Sequence, residues 1–171
     1  MRVTYSREVA AKEFLDKLGI ESFVPMHYEV TGQGDQSKYQ LTPAIHNLIF
    51  VHSTQETLTL LKMTCRELEP LRYMMKPAEK SDGMEIMRVP DRQMENFMRV
   101  ANASNDKVRF LTYEKFLDQP GQQVRITDGY FAGVEGVIKR IKNNKHVVVQ
   151  IDGVVAAAVT FVPPSQLAIV S

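Results

Sequence analysis

Apolar residues follow two different patterns along this chain, and the change falls near residue 117. Upstream, apolar residues recur every three or four positions in some segments and form short continuous or alternating runs in others, which indicates helices interspersed with strands. Downstream, glycine, valine and turn dipeptides dominate and no helical period persists, which indicates strands alone. The pattern therefore predicts a mixed α+β domain over residues 1–113, a linker over 114–120 and an all-β domain over 121–171.

The first domain is predicted to contain three amphipathic helices. The first is capped by Ser6 and ends at Gly19, the second follows a capping box of Ser53 and Glu56, and Pro90 opens the third. Short apolar or alternating runs predict strands at residues 2–5, 22–29, 45–51, 71–76, 84–89 and 108–113. The fourth and fifth of these runs flank a glycine-containing turn and are predicted to form a hairpin. Elements in this order favour a sheet covered by helices.

The second domain shows strand alternation interrupted by glycines. Val124 and Ile126 alternate with polar neighbours, and the glycines at 129 and 133 suit positive φ or a close backbone approach. Phe131, between these two glycines, is expected to fill one end of a small barrel. Turn dipeptides at 143–144 and 152–153 separate the apolar runs that precede and follow them. Short strands at this spacing predict a barrel of about five strands.

Composition limits the classes of function. Lys and Arg total 21 against 20 acidic residues. Proteins whose affinity for nucleic acid comes mainly from contacts with phosphates carry a strong positive charge, which this chain lacks, so a protein partner is favoured. The single cysteine, Cys65, permits no intrachain disulfide, and no apolar run approaches the roughly 20 residues of a membrane span, so a cytoplasmic location is expected. The four histidines show no metal-ligand spacing, and no nucleophile elbow or phosphate-binding loop occurs. A non-enzyme without metal or cofactor is expected.

Two segments resemble parts of one protein family, in that family's order and spacing. Residues 43–51, Pro-Ala-Ile-His-Asn-Leu-Ile-Phe-Val, resemble the central strand of NusG N-terminal domains. Residues 121–138 resemble the KOW motif, whose positions here are Gly121, Val124, Ile126, Gly129, Phe131, Gly133 and Gly136. The chain as a whole resembles the UpxY-type antiterminators of the NusG family, which are associated with capsular polysaccharide operons. The resemblance implies an antiparallel sheet with flanking helices, followed by a small SH3-like β-barrel.

This resemblance also implies a function. In the family, an apolar concavity on the N-terminal domain binds the clamp helices of the largest subunit of RNA polymerase, which suppresses pausing and premature termination. The residues of this chain that correspond to the concavity, or lie near it, are Leu48, Phe50, Tyr73, Met94 and Phe97. Core packing explains these apolar side chains equally well, so both interpretations stay open.

Basic residues supply candidate nucleic-acid contacts. The resemblance implies that Arg2, Arg7 and Lys38 face the nontemplate DNA strand. A second group surrounds the predicted turn at 143–144 and could meet nucleic acid such as the nascent RNA; its members are Lys139, Arg140, Lys142 and Lys145. A solvated face is the more frequent outcome for such a run. The alternative function is a KOW-type RNA-binding protein of the translation machinery, against which the near-neutral charge argues.

One departure from the family concerns the partner of the KOW domain. NusG places an exposed aromatic residue after an isoleucine of the barrel, where it contacts the termination factor Rho or a small-subunit ribosomal protein. Here Asp152 follows Ile151 at that position. We therefore expect that Rho is not a partner, whereas a ribosomal protein remains a candidate partner.

Overall fold

A computed structural model of the chain describes residues 1–32, 38–103, 108–112, 121–141, 144–160 and 162–170. Its contacts group into two units, Met1–Arg88 and Val89–Ser171. The domain boundaries inferred from the sequence stay a prediction, and the linker predicted at 114–120 lies outside the described residues.

The first unit is built from helices and short antiparallel strands. Its helices are Glu8–Lys17 (α1) and Gln55–Thr64 (α2), and its strands are Arg2–Val3 (β1), Ser22–Phe23 (β2), Met26–Thr31 (β3), Lys38–Pro43 (β4), Phe50–Val51 (β5), Leu71–Arg72 (β6), Met75–Pro77 (β7) and Met84–Ile86 (β8). The strands pair as β1 with β6, β2 with β5, β3 with β4 and β7 with β8. A bridge between Arg2 and Leu48 places β1 beside the segment that leads into β5. The predicted hairpin is confirmed as β7–β8.

The core of the first unit lies where α1 meets these strands. Its buried members come from α1, from β1 and β6, and from the segments that follow β2, precede β5 and follow α2; they are Val3, Ala11, Leu15, Val24, Ile49, Leu68 and Leu71. Burial of each aliphatic side chain stabilises the fold by about 1.5 to 3 kcal/mol. The spacing of Ala10, Phe14 and Leu18 predicted a different face of α1: Ala10 and Leu18 are exposed and Phe14 is half-buried, whereas Ala11 and Leu15 are buried.

Two helix starts differ from the sequence prediction. Arg7, not Ser6, is the N-cap of α1, and no side chain caps that end. Ser6 has a left-handed backbone with φ +50°, whereas an N-cap residue typically has an extended one. At α2 the cap is Thr54, one residue after the predicted Ser53, and its hydroxyl accepts from the Thr57 amide at 3.2 Å. The predicted end of α1 is confirmed: Gly19 has φ +71°, and the amide that follows it bonds back into the helix.

The strand predicted over residues 45–51 is much shorter in the structure. Only Phe50–Val51 forms β5, with the single bridge at Leu48 upstream. Asn47 has φ +61°, and a left-handed residue cannot continue a pleated strand. The prediction of a long central strand was therefore wrong in length, although Leu48 and Ile49 are as deeply buried as it implied.

The second unit contains one helix on one side of a sheet. The helix is Asp91–Ala101 (α3), and the strands are Val108–Thr112 (β9), Gln123–Ile126 (β10), Glu135–Ile141 (β11), Asn144–Ile151 (β12), Val155–Thr160 (β13) and Leu167–Ile169 (β14). Pairing is antiparallel throughout, in the order β14-β10-β11-β12-β13-β9. α3 packs against β12, β13 and β9. Pro90 precedes the helix as its N-cap, as predicted.

The barrel prediction needs a correction. Five consecutive strands, β10 to β14, do form one antiparallel sheet, but in the part of the chain that the structure describes no ladder joins the two edges into a closed ring. β9 adds a sixth strand beside β13. Sequence reasoning missed this pairing because β9 was assigned to the first domain, and strand alternation does not specify a partner. The α+β class is confirmed.

No helix among the described residues is long and apolar enough to cross a membrane.

Candidate functional site

Leu48 and Phe50, two of the predicted polymerase contacts, lie in the segment that leads into β5. Leu48 is 0% exposed and Phe50 is 9% exposed. Phe50 pairs with Phe23 across the β2–β5 ladder, with ring centroids 6.5 Å apart. Both side chains therefore contribute to packing in this structure.

Tyr73, directly after β6, is tied to α2. Its hydroxyl lies 3.0 Å from the Thr59 hydroxyl and 3.3 Å from the Gln55 carbonyl. The Lys62 ammonium sits 4.4 Å from the centroid of the Tyr73 ring, within cation–π range. Burial, and secondly the positive charge of Arg72, lower the pKa of Lys62. The hydroxyl of Tyr73 is thus held by α2 and its ring is in contact with Lys62, while part of the side chain stays accessible to solvent.

Met94 and Phe97 belong to α3 in the second unit. Phe97 is 0% exposed and meets the Phe110 ring edge-on, with centroids 6.4 Å apart, whereas Met94 is half-buried. The predicted set is therefore divided, with Leu48, Phe50 and Tyr73 in one unit and the two α3 residues in the other.

Polar contacts attach α3 to the turn before β11. The Arg99 guanidinium donates to the Ala132 carbonyl at 2.7 Å, and the Glu135 amide donates to the side-chain oxygen of Asn96 at 3.4 Å. The Glu135 carboxylate lies 2.5 Å from both the Arg92 and the Arg125 guanidinium. The hydrogen bond from Arg125, then the charge of Arg92, lower the pKa of Glu135 despite an opposing effect of desolvation.

The predicted basic groups occupy several places. Arg2, Arg7 and Lys38 are exposed in the first unit, on β1, before α1 and on β4. On the β11–β12 hairpin, Arg140 lies opposite Lys145, and both are exposed. Lys139 points to the other face and is only 7% exposed, so it does not share a surface with that pair. Lys142 lies outside the described residues.

A buried polar pair lies on the other face of this hairpin. Lys139 stands directly opposite His146, which is also buried, and Nδ1 of His146 has no hydrogen-bond partner among the described residues. Alternation alone could have separated Lys139 from Arg140, because neighbouring residues of a strand face opposite sides. Among the described residues, no group of three or more His, Cys, Asp and Glu side chains is placed to hold a metal ion.

The glycine-rich turn before β11 has the backbone predicted for it. Gly129 has φ +81° and Gly133 has φ +86°. Phe131 is buried between them, whereas its neighbour Tyr130 is exposed and touches it edge-on. At the end of β12, both carboxylate oxygens of Asp152 are engaged, by the Gln150 amide at 2.7 Å and the Gln93 amide of α3 at 3.4 Å.

Two exposed features were missed by the sequence reasoning. The β3–β4 hairpin presents an apolar face in which Tyr28 is paired with Leu41 and Val30 with Tyr39, all four exposed. Alternation on both sides of the polar loop could have revealed this face. The second feature is Tyr5, which is 85% exposed and has a left-handed backbone. No sequence signal marks a left-handed tyrosine.

Comparison with known proteins gives one family match. The model of the family described as transcription termination factor nusG matches residues 1–98. No curated protein matches the chain. The matched region contains the whole first unit and α3 as far as Met98, and therefore every predicted polymerase contact. Because this match covers 98 of the 171 residues and agrees with the mixed α/β structure, the chain belongs to the NusG family of transcription factors.

Proposed function

We propose that this chain is a transcription elongation factor that binds RNA polymerase through its N-terminal region and suppresses pausing or premature termination. The family match carries the proposal, because it spans all five predicted contact residues. The proposed ligand is the pair of clamp helices of the largest polymerase subunit. The contact residues are those named from the sequence: Leu48, Phe50, Tyr73, Met94 and Phe97.

Burial divides these five residues by role. Tyr73 and Met94 are half-buried and can meet a partner directly. Leu48, Phe50 and Phe97 are buried, so contact with polymerase through them requires that the groups over them move first. Binding then favours an uncovered conformation, and the apparent dissociation constant rises in inverse proportion to the population of that conformation. Suppression of pausing needs no chemistry, because tighter binding to the active polymerase by about 1.4 kcal/mol changes the ratio of active to paused states tenfold.

The proposal includes a narrower role in operons for capsular or other exported polysaccharides, following the UpxY-type resemblance. It also includes a KOW-type second domain whose partner is a ribosomal protein and not Rho. The absence of Rho is supported by Asp152, an exposed carboxylate where the family has an aromatic residue, because it offers no apolar ring for Rho to contact. Rho retained by the full chain at micromolar concentration would contradict this part.

The first experiment is retention of the cell's own RNA polymerase by the immobilised full chain. Tyr73→Ala and Met94→Ala should each reduce retention by roughly fivefold or more, as expected when an interface residue contributes about 1 kcal/mol or more. Tyr130→Ala and Met84→Ala are matched controls, because they remove the same side chains at exposed positions that are not among the predicted contact residues. Circular dichroism confirms that each variant is folded.

The possible results separate the alternatives. Retention lost with the Tyr73 and Met94 variants, but kept with both controls, supports polymerase binding through the predicted contact residues. Equal loss with all four variants would contradict their role. If the native chain retains no polymerase and instead binds ribosomal RNA in a salt-sensitive manner, the translation-machinery function replaces this one.

A pause assay tests the activity itself. Addition of the full chain to a purified elongation complex should shorten the dwell at a pause site, and the Tyr73→Ala variant should lack the effect at the same concentration. Unchanged dwell with saturating native chain would show that binding, if present, does not alter pausing.

A further inference from the structure

Lys62, on α2, lies over an aromatic ring and not beside an acid. Its ammonium is 4.4 Å from the centroid of the Tyr73 ring. In the described part of the chain, no carboxylate lies within ion-pair distance of Lys62, whereas Lys76 is paired with Glu79 and Glu85. Lys62 therefore lacks the acidic neighbour that keeps a lysine protonated.

The structure of α2 fixes this arrangement. Thr59 and Lys62 are three residues apart on the helix, so their side chains share one face of it. The Thr59 hydroxyl lies 3.0 Å from the Tyr73 hydroxyl, while the Lys62 ammonium lies over the ring of the same tyrosine. The half-buried Lys62 side chain is thereby kept beside the ring and partly withdrawn from water.

Two features of this setting favour the neutral amine of Lys62. Burial lowers its pKa, and the positive charge of Arg72 lowers it further. By contrast, the hydrogen bond and ion pair with Glu85 raise the pKa of Lys76. The neutral amine is the nucleophilic form of lysine. Reactive lysines in proteins are activated in the same two ways, by desolvation and by a second cation nearby.

Arg72, on β6 next to Tyr73, offers a site for an anion. Its side chain is exposed, and its Nη1 donates to the carbonyls of Glu69 and Leu71. Within the described ranges, no hydrogen bond or ion pair uses Nε or Nη2, which form the other edge of the guanidinium. That edge can donate the two parallel hydrogen bonds that phosphate oxygens accept. Because the charge of Arg72 acts on Lys62, a phosphate bound there lies in the neighbourhood of the amine.

We propose that Lys62 is a modification site at which an acyl phosphate acylates the amine, with Arg72 binding the phosphate group. The neutral amine attacks the carbonyl carbon of the acyl phosphate, and an amide bond forms. The bond between that carbon and the bridging oxygen breaks. Phosphate leaves with the electron pair and takes up the proton that the amine loses, so no further reactant is needed.

Acylation changes the surroundings of Tyr73. An acylated lysine carries no charge, so the cation–π contact with the ring is lost, while the hydrogen bonds of the tyrosine hydroxyl to α2 remain. The ring is then held less firmly at a position proposed to contact polymerase. This consequence rests on the proposed function. We expect acylation to weaken polymerase binding roughly two- to fivefold, as for the loss of an exposed cation–π contact.

The acylation itself is measured on the purified full chain without polymerase. The chain is incubated with acetyl phosphate, and mass spectrometry of its peptides gives the initial rate at each lysine. Lys62 should react severalfold faster than Lys76, the matched control whose amine is kept protonated by Glu85. The rate at Lys62 should also level off at a lower pH than the rate at Lys76, because its pKa is lowered and that of Lys76 is raised.

A reagent without phosphate separates phosphate binding from the reactivity of the amine. Arg72→Gln should slow acylation of Lys62 by acetyl phosphate roughly tenfold, as for the loss of hydrogen bonds to a charged group. With N-hydroxysuccinimidyl acetate, which carries no phosphate, the same variant should react at a rate much closer to that of the native chain. Arg66→Gln is the matched control, because this exposed arginine is not among the charges that lower the pKa of Lys62. It should leave both rates unchanged, and circular dichroism shows whether each variant is folded.

Polymerase retention tests the consequence of acylation. Treatment with acetyl phosphate should lower retention of RNA polymerase by the native chain roughly two- to fivefold. Retention by the Lys62→Arg chain should stay at its own untreated value, because arginine remains charged and does not form the amide. Absence of retention by the untreated native chain would count against the proposed function alone, and the acylation rates would still decide whether Lys62 is a modification site.

Three results would overturn the proposal. Acylation of Lys62 no faster than that of Lys76 would show that the amine is not activated. Equal slowing of both reagents by Arg72→Gln would show that Arg72 binds no phosphate, which removes acyl phosphates as the class of reagent. Unchanged polymerase retention after complete acylation of Lys62 would show that the modification does not regulate the factor.

Discussion

The amide of Ser6 donates a hydrogen bond of 3.0 Å to the side-chain oxygen of Asn47, and both residues have left-handed backbones. The two are 41 positions apart in the chain, so the bond fixes the turn before α1 to the segment before β5. Each left-handed residue other than glycine costs about 1 to 2 kcal/mol, and asparagine tolerates the conformation better than serine does. The strain is therefore concentrated at Ser6 and Tyr5.

Ser6→Gly should stabilise the protein by about 0.5 to 1 kcal/mol. Glycine adopts positive φ without a steric penalty, and the hydrogen bond to Asn47 survives because it uses the backbone amide. The midpoint of urea unfolding measures the change. Ser53→Gly, at an exposed position without positive φ, is the control and should be neutral or slightly destabilising. A lower midpoint for Ser6→Gly would show that the serine side chain itself stabilises the turn.

Glu135 joins α3 to β10 through Arg92 and Arg125 and should make the stability of the protein pH-dependent. Its pKa is lowered from the ordinary 4.5, mainly by the hydrogen bond from Arg125. A lowered carboxyl pKa means that the stabilisation is complete above pH 4.5 and is lost as the pH falls through the lowered value.

Glu135→Gln should therefore lower the melting temperature at pH 7 and have a diminishing effect as the pH approaches 3. Glu95→Gln, on an exposed part of α3, is the control and should show little effect at either pH. The same loss of stability from Glu135→Gln at both pH values would mean that shape and not charge makes the contact important.

The sequence was most informative where local chemistry alone decides the structure. Gly19 ended α1, Pro90 preceded α3, and Gly129 and Gly133 took positive φ, because each of these outcomes follows from the backbone of that one residue. The prediction of Ser6 as a cap failed because a contact with Asn47, distant in sequence, imposed another conformation. The pairing of β9 with β13 was not predicted for the same reason, because it joins segments that are distant in sequence. The burial of Phe97 could be predicted from helical spacing, but the Phe110 ring that meets it could not.

Gly136→Ala should destabilise the second unit by about 2 kcal/mol. A Cβ at this position would lie 2.7 Å from the Val148 carbonyl oxygen and 2.9 Å from a methyl group of Val147, both on the paired strand β12. The Val148 carbonyl belongs to the backbone of a paired strand, so it cannot move aside as the end of a flexible side chain can. Gly83→Ala is the control, because its nearest neighbour is the Ser81 hydroxyl at an ordinary 3.6 Å. Urea unfolding of both variants measures the difference, and equal stability would show that β11 and β12 can separate without cost.

The last prediction concerns the cover over Phe97 and depends on the proposed polymerase contact. If Phe97 meets polymerase, α3 must leave β9, β12 and β13, and the contacts that hold it there oppose binding. Arg92→Gln and Arg99→Gln each remove one such contact, the ion pair with Glu135 and the bond to the Ala132 carbonyl. Apparent polymerase affinity should then rise, by up to tenfold for each 1.4 kcal/mol of lost attachment.

Arg125→Gln is the matched control, because it removes a guanidinium from the same carboxylate of Glu135 but leaves the Arg92 bond from α3 in place. Hydrogen exchange of the α3 amides reports whether the helix has loosened. Faster exchange with higher polymerase affinity supports contact through Phe97. Faster exchange with unchanged affinity would mean that α3 stays on its sheet when polymerase binds. Phe97 would then be a core residue only, and of the two α3 residues the half-buried Met94 alone would meet polymerase.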